Sequence, residues 1–452
     1  MSSIFHTLRT YSGTILGFFI ALLVGYVSPL AGNVIILGGV LFLVLSGKDE
    51  HLIILTLLVY MAGDSRNSEW SFAKTYRMFC LLGMFSRTVI YLVQRKTKIP
   101  AFYRWIIPFF ITALVSASSS PVLSTALFKL FAFGIMLMVA FTYFPMILKK
   151  NHGALVQDIV VFILLVFASA FFLRLIGAPI VMMKDRFAGM FGNPNGLGIF
   201  ATLTTCFLTI YMHINPRFRH ICLWALFFGI LNIVLSGSRT ALGAQILFFF
   251  LYFFYQRGTR GVVFLWALLV PSVYLFFQII TPEDILISLG LGEYLRVDSL
   301  TSGSGRFLAW QVAITEITAN PFFGQGFGFD EHFFVMLREK FQVTEHQGGV
   351  HNSFLTLMMN TGLVGTTLYI LFLTNISLHI KKTKLLFPVM VAAMISANFE
   401  GWLPTSLGTF NIYFLLSLVL LLNYHELKAI AAKSWQPVSQ GGSTLPQKLM
   451  PG

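Results

Sequence analysis

Four short polar segments, each beside a long apolar stretch, hold the residues best suited to chemistry. They are 186–198 with Arg186 and Asn195, 236–240 with Ser238 and Arg239, 304–328 with Arg306, and 351–353 with His351 and Asn352. Arginine offers phosphate a permanent charge and a bidentate donor fork, and histidine can exchange a proton near neutral pH. The residue types therefore indicate an anion site with a proton acceptor beside it.

Helix beginnings would position these side chains. Asn195, Ser238 and Asn352 are good N-cap residues for the apolar stretches that follow them, and Arg239 falls in or beside a first turn. A helix N-terminus presents unpaired N–H groups and a partial positive charge, which favour phosphate. If these helices begin at one membrane face, their N-termini form a single site.

Each feature also has a plain structural explanation. Arg239 could be a snorkelling arginine at a helix end, and His351 could only cap a helix. The glycines of 324–328 could form an ordinary turn, and no strand–turn–helix unit makes them a dinucleotide fingerprint. Glu400 could be an interfacial carboxylate, although an acid on a nearly charge-free apolar hairpin is more often functional.

Metal, disulfide and cofactor chemistry are not indicated. The spacing of His332, Glu345, His346 and His351 matches no zinc pattern. The three cysteines, Cys80, Cys206 and Cys222, lie inside apolar stretches and are interpreted as small buried hydrophobes. We expect neither a metal nor a cofactor.

The composition is that of an integral membrane protein. Hydrophobic residues make up 56% of the 452 positions and charged residues 11%, against about 25% charged in soluble domains. The net charge of +14 comes from basic residues placed singly or in short groups between apolar stretches. That distribution follows the positive-inside rule and excludes a nucleic-acid surface as the main explanation.

The apolar stretches predict an all-α polytopic fold of about 12–14 spans, since a span needs about 20 apolar residues. We place the helices near residues 12–30, 32–47, 51–63, 73–94, 101–118, 124–148, 153–177, 195–214, 219–237, 240–257, 261–280, 352–379, 385–399 and 406–423. The chain divides into an N-terminal bundle of about 11 helices (1–280), a large outward-facing loop (281–351), C-terminal spans (352–425) and a disordered cytoplasmic tail (426–452).

Basic residues recur in every second connection, which puts both termini in the cytoplasm and the four polar segments outside. The large loop should contain short helices. Arg306–Asn320 has apolar residues at helical spacing, with Ser304 as its cap and Pro321 after its end. A second short helix is predicted at Phe333–Phe341. Apolar faces of this kind suit helices on a membrane surface or over a cavity.

The order and spacing of these motifs resemble the O-antigen ligase and polymerase superfamily of bacterial membrane glycosyltransferases. The likeness rests on Ser-Gly-Ser-Arg239-Thr, Arg306, Pro321-Phe-Phe-Gly-Gln-Gly-Phe-Gly328, His351-Asn352-Ser-Phe-Leu, Gly362-Leu-Val-Gly365 and Phe399-Glu400-Gly-Trp402. It extends from about Arg186 to Trp402, and the first half of the chain matches only in being membrane helices.

The resemblance implies a GT-C-like fold in the bacterial inner membrane and metal-independent inverting transfer on the periplasmic side. The donor would be an undecaprenyl-pyrophosphate-linked glycan. By position, Arg239 would bind the pyrophosphate and His351 would activate the acceptor hydroxyl. Arg186 and Arg306 would contact phosphate or glycan, and Glu400 would orient the acceptor or the histidine.

Polymerase and ligase share this chemistry and differ in acceptor, which is a lipid-linked repeat or the lipid A core. Many helices and the Phe-Glu-Gly-Trp hairpin favour the polymerases, and a chain-length regulator is a further candidate partner. A flippase is the competing class, but it should show internal repeats or paired broken helices. A non-catalytic scaffold would not explain why Arg239 and His351 open helices on one face.

Overall fold

The computed structural model describes residues 2–64, 72–94, 96–183, 186–258, 261, 306–337, 349–381, 383–405 and 407–433. Four features of the sequence analysis lie outside these residues: the predicted span 261–280 beyond its first residue, Ser304, Glu345 and His346. The described chain is helical nearly throughout, with one antiparallel strand pair, β1 (Met182–Met183) and β2 (Arg186–Phe187).

Seventeen α-helices are numbered here in chain order. They are α1 Ser2–Val27, α2 Pro29–Ser46, α3 Asp49–Ala62, α4 Ala73–Val93, α5 Ile107–Ser118, α6 Leu123–Met138, α7 Phe144–Lys150, α8 Ala154–Leu175, α9 Pro194–Ile214, α10 Arg219–Ser236, α11 Arg239–Gln256, α12 Arg306–Ala319, α13 Phe329–Met336, α14 Ser353–His379, α15 Leu386–Phe399, α16 Thr409–Leu422 and α17 Tyr424–Lys433. A 3₁₀ turn, Ala101–Trp105, precedes α5, and a π-helical turn, Val139–Tyr143, joins α6 to α7.

The all-α polytopic membrane fold is confirmed. In the described residues, nine helices are long and apolar enough to cross a membrane, and the bent pair α16–α17 would make a tenth. Each predicted span between residues 12 and 257, and between 352 and 423, coincides with helix in the structure. α9 lies at the centre, where it packs against α10, α11, α15 and α16.

Three boundaries differ from the sequence prediction. α1 begins about ten residues earlier than expected, and its first turns are held by Thr7 and Tyr11, which donate to Asp158 of α8. The second loop helix begins at Phe329 rather than at Phe333, because Gly328 ends the preceding turn in a left-handed conformation. α17 continues as helix to Lys433, within the segment 426–452 that was expected to be disordered.

Asp49 anchors the face of the bundle at which α3 begins. Its side chain is fully buried and accepts hydrogen bonds from Arg87 Nε at 2.8 Å, Tyr143 Oη at 2.9 Å and Lys150 Nζ at 3.1 Å. Tyr91 also donates to this carboxylate. Arg87 is therefore part of a buried ion network that joins α3, α4 and α7.

α14 is a broken helix. Gly362 has φ 64° and ψ −170°, which is not helical. The turn 321–328 fills the break: Pro321 O and Phe322 O accept from the Leu363 and Val364 amides, while the Gln325 and Gly326 amides donate to Met359 O and Asn360 O. Non-helical backbone at membrane depth is tolerated where protein satisfies its polar groups. The glycine-rich motif is therefore an inserted turn that replaces helical hydrogen bonds.

Candidate functional site

The helices that carry the predicted site begin at one end of the bundle. α9 and α11 run parallel, since Gly198 near the start of α9 abuts Ser238 and Ala241, and His213 Nε2 near its end lies 3.1 Å from Tyr252 Oη. A side chain larger than hydrogen at position 198 would collide with Ser238. The close packing fixes the two N-termini side by side, and we call this end of the bundle the site face.

α15 brings Glu400 to the same face. Lys384, just before α15, donates to Gln256 O at the end of α11 at 2.7 Å, and the rings of Tyr255 and Phe387 stack 5.2 Å apart. The two helices pack antiparallel, so the end of α15 lies beside the start of α11. Glu400 directly follows α15, and Arg239 is the first residue of α11.

Two of the three predicted N-caps occupy the cap position. Asn352 caps α14, and its Oδ1 accepts from the Phe354 and Leu355 amides at 2.9 and 3.1 Å. Ser238 occupies the cap position of α11, although its side chain makes no cap bond and is buried. The cap of α9 is Asn193 rather than Asn195, and its Oδ1 accepts from the Gly196 amide at 2.7 Å. Proline favours the first helical position, so Pro194 moves the cap one residue ahead of itself.

Three charged or titratable side chains converge at the start of α14. His351 Nδ1 lies 3.1 Å from Glu400 Oε2, and Arg306 donates to Glu400 Oε1 at 2.5 Å. The Glu400 side chain is only 9% exposed, against 22% for His351 and 18% for Arg306. The buried carboxylate thus holds the histidine on one side and the arginine on the other.

The backbone around His351 is held in an uncommon conformation. His351 has a φ of 49°, in the left-handed region that few non-glycine residues adopt. Trp310 Nε1 donates to Val350 O at 2.9 Å, and Ser353 Oγ donates to Glu400 O at 2.7 Å. These bonds tie the residues on either side of His351 to α12 and to the segment that carries Glu400.

Arg186 supports the turn before Arg239. Its guanidinium donates to Ser236 O at 3.0 Å and to Gly237 O at 3.4 Å. Both carbonyls belong to the left-handed turn that ends α10 and leads into α11. Arg186 therefore lies beside the predicted anion site and contacts the backbone that presents Arg239.

The structure thus brings His351, Glu400 and Arg306 into direct contact, and it places Arg239, Asn195 and Asn352 at helix starts on the same face. The sequence interpretation missed the Arg306–Glu400 ion pair and the contributions of Asn193, Trp310 and Ser353. Asn193 could have been found from the Asn-Pro pair, because proline marks a first helical position. The other contacts join residues 40 or more positions apart, and no local pattern signals them.

The arrangement suits proton transfer beside an anion site. A carboxylate that holds one ring nitrogen of a histidine orients the ring and leaves the other ring nitrogen free to take a proton from a bound hydroxyl. Helix N-termini and Arg239 supply positive charge nearby. Among the described residues no group of three or more His, Cys, Asp or Glu side chains is placed to hold a metal ion.

Residues 224–370 match the family model described as O-antigen ligase. The match covers about a third of the chain and includes Arg239, Arg306 and His351 but neither Arg186 nor Glu400. No curated protein matches the chain. The resemblance inferred from the motifs is confirmed, and the match supports an O-antigen ligase or polymerase type of function.

Proposed function

We propose that the protein transfers a glycan from an undecaprenyl-pyrophosphate carrier to a sugar hydroxyl, as a polymerase of O-antigen or exopolysaccharide repeat units. The observation that carries the proposal is the His351–Glu400–Arg306 cluster at the start of α14, on the face where α11 presents Arg239. Three of these four residues fall in the segment that matches the O-antigen ligase family.

The chemistry is a substitution at the anomeric carbon. The acceptor hydroxyl oxygen attacks that carbon from the side opposite the pyrophosphate, so a glycosidic bond forms as the carbon–oxygen bond to pyrophosphate breaks. The hydroxyl proton passes to His351, and the bond electrons leave with the polyprenyl pyrophosphate. Attack from the opposite side inverts the anomeric configuration.

His351 would act through the ring nitrogen that faces away from Glu400. With Nδ1 donating to the carboxylate, Nε2 holds the lone pair that can accept a proton. Glu400 then stabilises the imidazolium that forms, and Arg306 holds the Glu400 side chain in place through its hydrogen bond to Oε1. General base catalysis by a positioned side chain contributes about 10²–10⁴-fold to rate.

Arg239 would stabilise the leaving group. Negative charge grows on the pyrophosphate as the bond breaks, and fixed donors aimed at developing charge lower the barrier most. Arg186 braces the turn before Arg239, which gives it a positioning role in this scheme. Asn195, Ser238 and Asn352, at the three helix starts, would complete the phosphate and glycan contacts.

A ligase that uses the lipid A core as acceptor is the second candidate, because the matching family model is described as O-antigen ligase. Both activities place the site on the periplasmic side of the inner membrane with cytoplasmic termini. Neither uses a metal or other cofactor in this proposal. A chain-length regulator would be an additional partner of the polymerase.

The test is transfer by the purified protein in phospholipid vesicles. The donor is offered alone and with lipid A core, and glycan products and released polyprenyl pyrophosphate are measured. A ladder of products from donor alone supports the polymerase. Product only with lipid A core establishes the ligase instead. Movement of intact donor across the bilayer without transfer contradicts both and indicates a flippase.

A further inference from the structure

Two adjacent phenylalanines protrude from the turn that fills the break in α14. The side chains of Phe322 and Phe323 are 61% and 51% exposed, and neighbouring Leu363 on α14 is 50% exposed. Polar or small residues would be expected at the tip of a loop surrounded by water. Contiguous exposed apolar groups indicate an interaction surface.

The position of this turn relative to the spans can be read from α5. The segment 101–118 runs antiparallel to α14: Phe102 contacts His379 with ring centroids 5.9 Å apart, Phe109 contacts Tyr369 at 5.4 Å, and Ser116 Oγ donates to Asn360 O at 2.7 Å. Ala101–Ser118 is itself long and apolar enough to cross a membrane. The part of α14 that lies within the membrane therefore starts near Asn360.

Phe322 and Phe323 lie on the membrane side of that boundary. The Leu363 amide donates to Pro321 O at 2.8 Å and the Val364 amide to Phe322 O at 3.1 Å. Leu363 follows Asn360 by three residues and comes after the break, so it lies farther from the site face than Asn360 and within the span. The turn 321–328 therefore enters the span and returns, although it belongs to a segment that looks like an extramembrane loop.

The turn is fixed at this depth by protein contacts. A side chain at Gly362 would collide with the Phe322 carbonyl, and one at Gly326 would collide with Ser120. α12 and α13 on either side share a small apolar core with α14 that includes Ala313, Phe334 and Met359. The Asp330 amide and carboxylate both bond to the Asn360 side chain, at 3.1 and 2.9 Å.

The neighbouring span also exposes large apolar side chains at this depth. Leu114 and Val115 of α5 are 50% and 54% exposed on a helix that crosses the membrane. They lie at about the same depth as Phe322, because Ser116 pairs with Asn360. The exposed side of a membrane-crossing helix meets lipid, so acyl chains are the occupant that we infer for phenylalanines at the same depth.

We propose that the turn 321–328 is a re-entrant membrane anchor whose Phe322 and Phe323 side chains contact phospholipid acyl chains in the leaflet on the site face. The anchor joins the bilayer to the same helix, α14, that begins next to His351. It rests on packing and depth and does not depend on the proposed activity.

Spin labelling in phospholipid vesicles tests the anchor. Single cysteines at Phe322→Cys and Phe323→Cys, in a background with Cys80, Cys206 and Cys222 replaced by alanine, would carry the label. Accessibility to oxygen is compared with accessibility to a water-soluble nickel chelate. Leu114→Cys is the lipid-facing control, and Gln311→Cys, exposed on α12 nearer the site face, is the water-facing control.

The proposal predicts that both labels resemble Leu114→Cys, with oxygen access exceeding nickel access by several-fold. Labels that resemble Gln311→Cys would overturn it. A second readout uses Phe322→Trp in vesicles of acyl-brominated phospholipid. Tryptophan emission quenched beyond that of the unaltered protein supports the anchor, and an unchanged quenched fraction contradicts it.

Discussion

His351 has a left-handed backbone conformation with φ 49°, which costs a non-glycine residue about 1–3 kcal/mol. Two hydrogen bonds hold the backbone on either side of His351: Trp310 Nε1 donates to Val350 O, and Ser353 Oγ donates to Glu400 O. Such strain is most often retained at functional sites. This backbone conformation directs the imidazole toward Glu400. A residue that only capped α14 would not need that direction.

Glu400→Gln tests whether the carboxylate acts through the histidine. The variant keeps the size of the side chain and removes the charge that would stabilise the imidazolium. We expect kcat to fall about 10- to 100-fold, with a smaller change in KM. The measurement is steady-state glycan transfer, and Glu426→Gln, an exposed carboxylate paired with Lys149 on α7, is the control. Equal activity of Glu400→Gln and Glu426→Gln would show that Glu400 takes no part in the mechanism.

Asp330, just after the turn 321–328, should make the stability of the protein depend on pH. Burial, together with the neighbouring Glu331, raises the pKa of Asp330 to about 6. The folded protein therefore binds this proton more tightly than the unfolded chain does. The stability contributed by the protonated group is complete below the usual carboxyl pKa of about 3.9 and is lost as pH rises through 6.

Asp330→Asn should abolish this pH dependence, because the amide keeps an acceptor for Asn360 and does not ionise. Thermal unfolding in detergent at pH 5, 6 and 7 measures it. We expect the Tm of the variant minus that of the unaltered protein to increase with pH. A difference that stays constant, or that decreases, would contradict this assignment.

The sequence predicted the types of the site residues better than the residues that they contact. Arg239, His351 and Asn352 lie where helix starts were expected, since apolar periodicity and cap preferences are local. Asn195 was wrong as a cap by two residues, because Pro194 sets the helix start. The Arg306–Glu400 pair joins positions 94 residues apart, and only the fold brings them together.

Among the helices, the break in α14 is the feature that the apolar pattern of the sequence does not reveal. The stretch 352–379 is apolar throughout and predicts one continuous span, as the nine-span count also treats it. The glycine-rich turn was explained only as a plain turn, because its partners are the backbone groups of α14. Backbone pairing between distant segments leaves no side-chain pattern to read.

Gly362→Ala tests the inserted turn. A methyl group there would meet the Phe322 carbonyl, and the conformation φ 64°, ψ −170° is one that only glycine adopts readily. We expect a loss of about 2–4 kcal/mol in stability and reduced transfer, since the same helix begins at His351. The measurement is thermal unfolding in detergent, followed by a transfer assay on the folded fraction.

Gly243→Ala is the matched control for that substitution. Gly243 lies in α11, one turn from Arg239, and no neighbouring atom is within 4 Å of an added methyl group. Alanine there should be neutral or stabilising by up to about 1 kcal/mol. Similar destabilisation of the two variants would show that the turn does not occupy the break in α14.

For the whole molecule, the two faces of the bundle have different electrostatics. The site face gathers helix starts, Arg239 and the His351–Glu400–Arg306 cluster. The opposite face is held by the buried Asp49 network. The polytopic α-fold and the span positions could be predicted from hydropathy, because both follow from composition along the chain. The long-range ion network could not, because its members lie on separate helices.

Asp49→Asn should be among the most destabilising substitutions. It leaves Arg87 and Lys150 without the carboxylate that compensates them, and breaking a buried ion pair costs about 3–5 kcal/mol. Transfer per folded molecule should stay near normal, since the site is at the other face. Thermal unfolding and activity of the folded fraction measure the two effects.

Lys149→Met is the control variant with which the stability loss of Asp49→Asn is compared. Lys149 pairs with Glu426 in a bridge whose side chains are 51% and 49% exposed, and exposed pairs contribute about 0–1 kcal/mol. A loss for Asp49→Asn no larger than for Lys149→Met would show that the Asp49 network does not stabilise the fold.

The role of His351 is tested most directly by the rate of acceptor-dependent release of polyprenyl pyrophosphate. This rate is measured in phospholipid vesicles for the unaltered protein, His351→Ala and Arg219→Ala. Arg219 begins α10 at the opposite face and serves as the control for an altered but folded protein. We expect His351→Ala to unfold at nearly the same temperature as the unaltered protein but to release product at least about 100-fold more slowly. Arg219→Ala should keep its activity. Release by folded His351→Ala at the normal rate would show that His351 is not the base in glycan transfer.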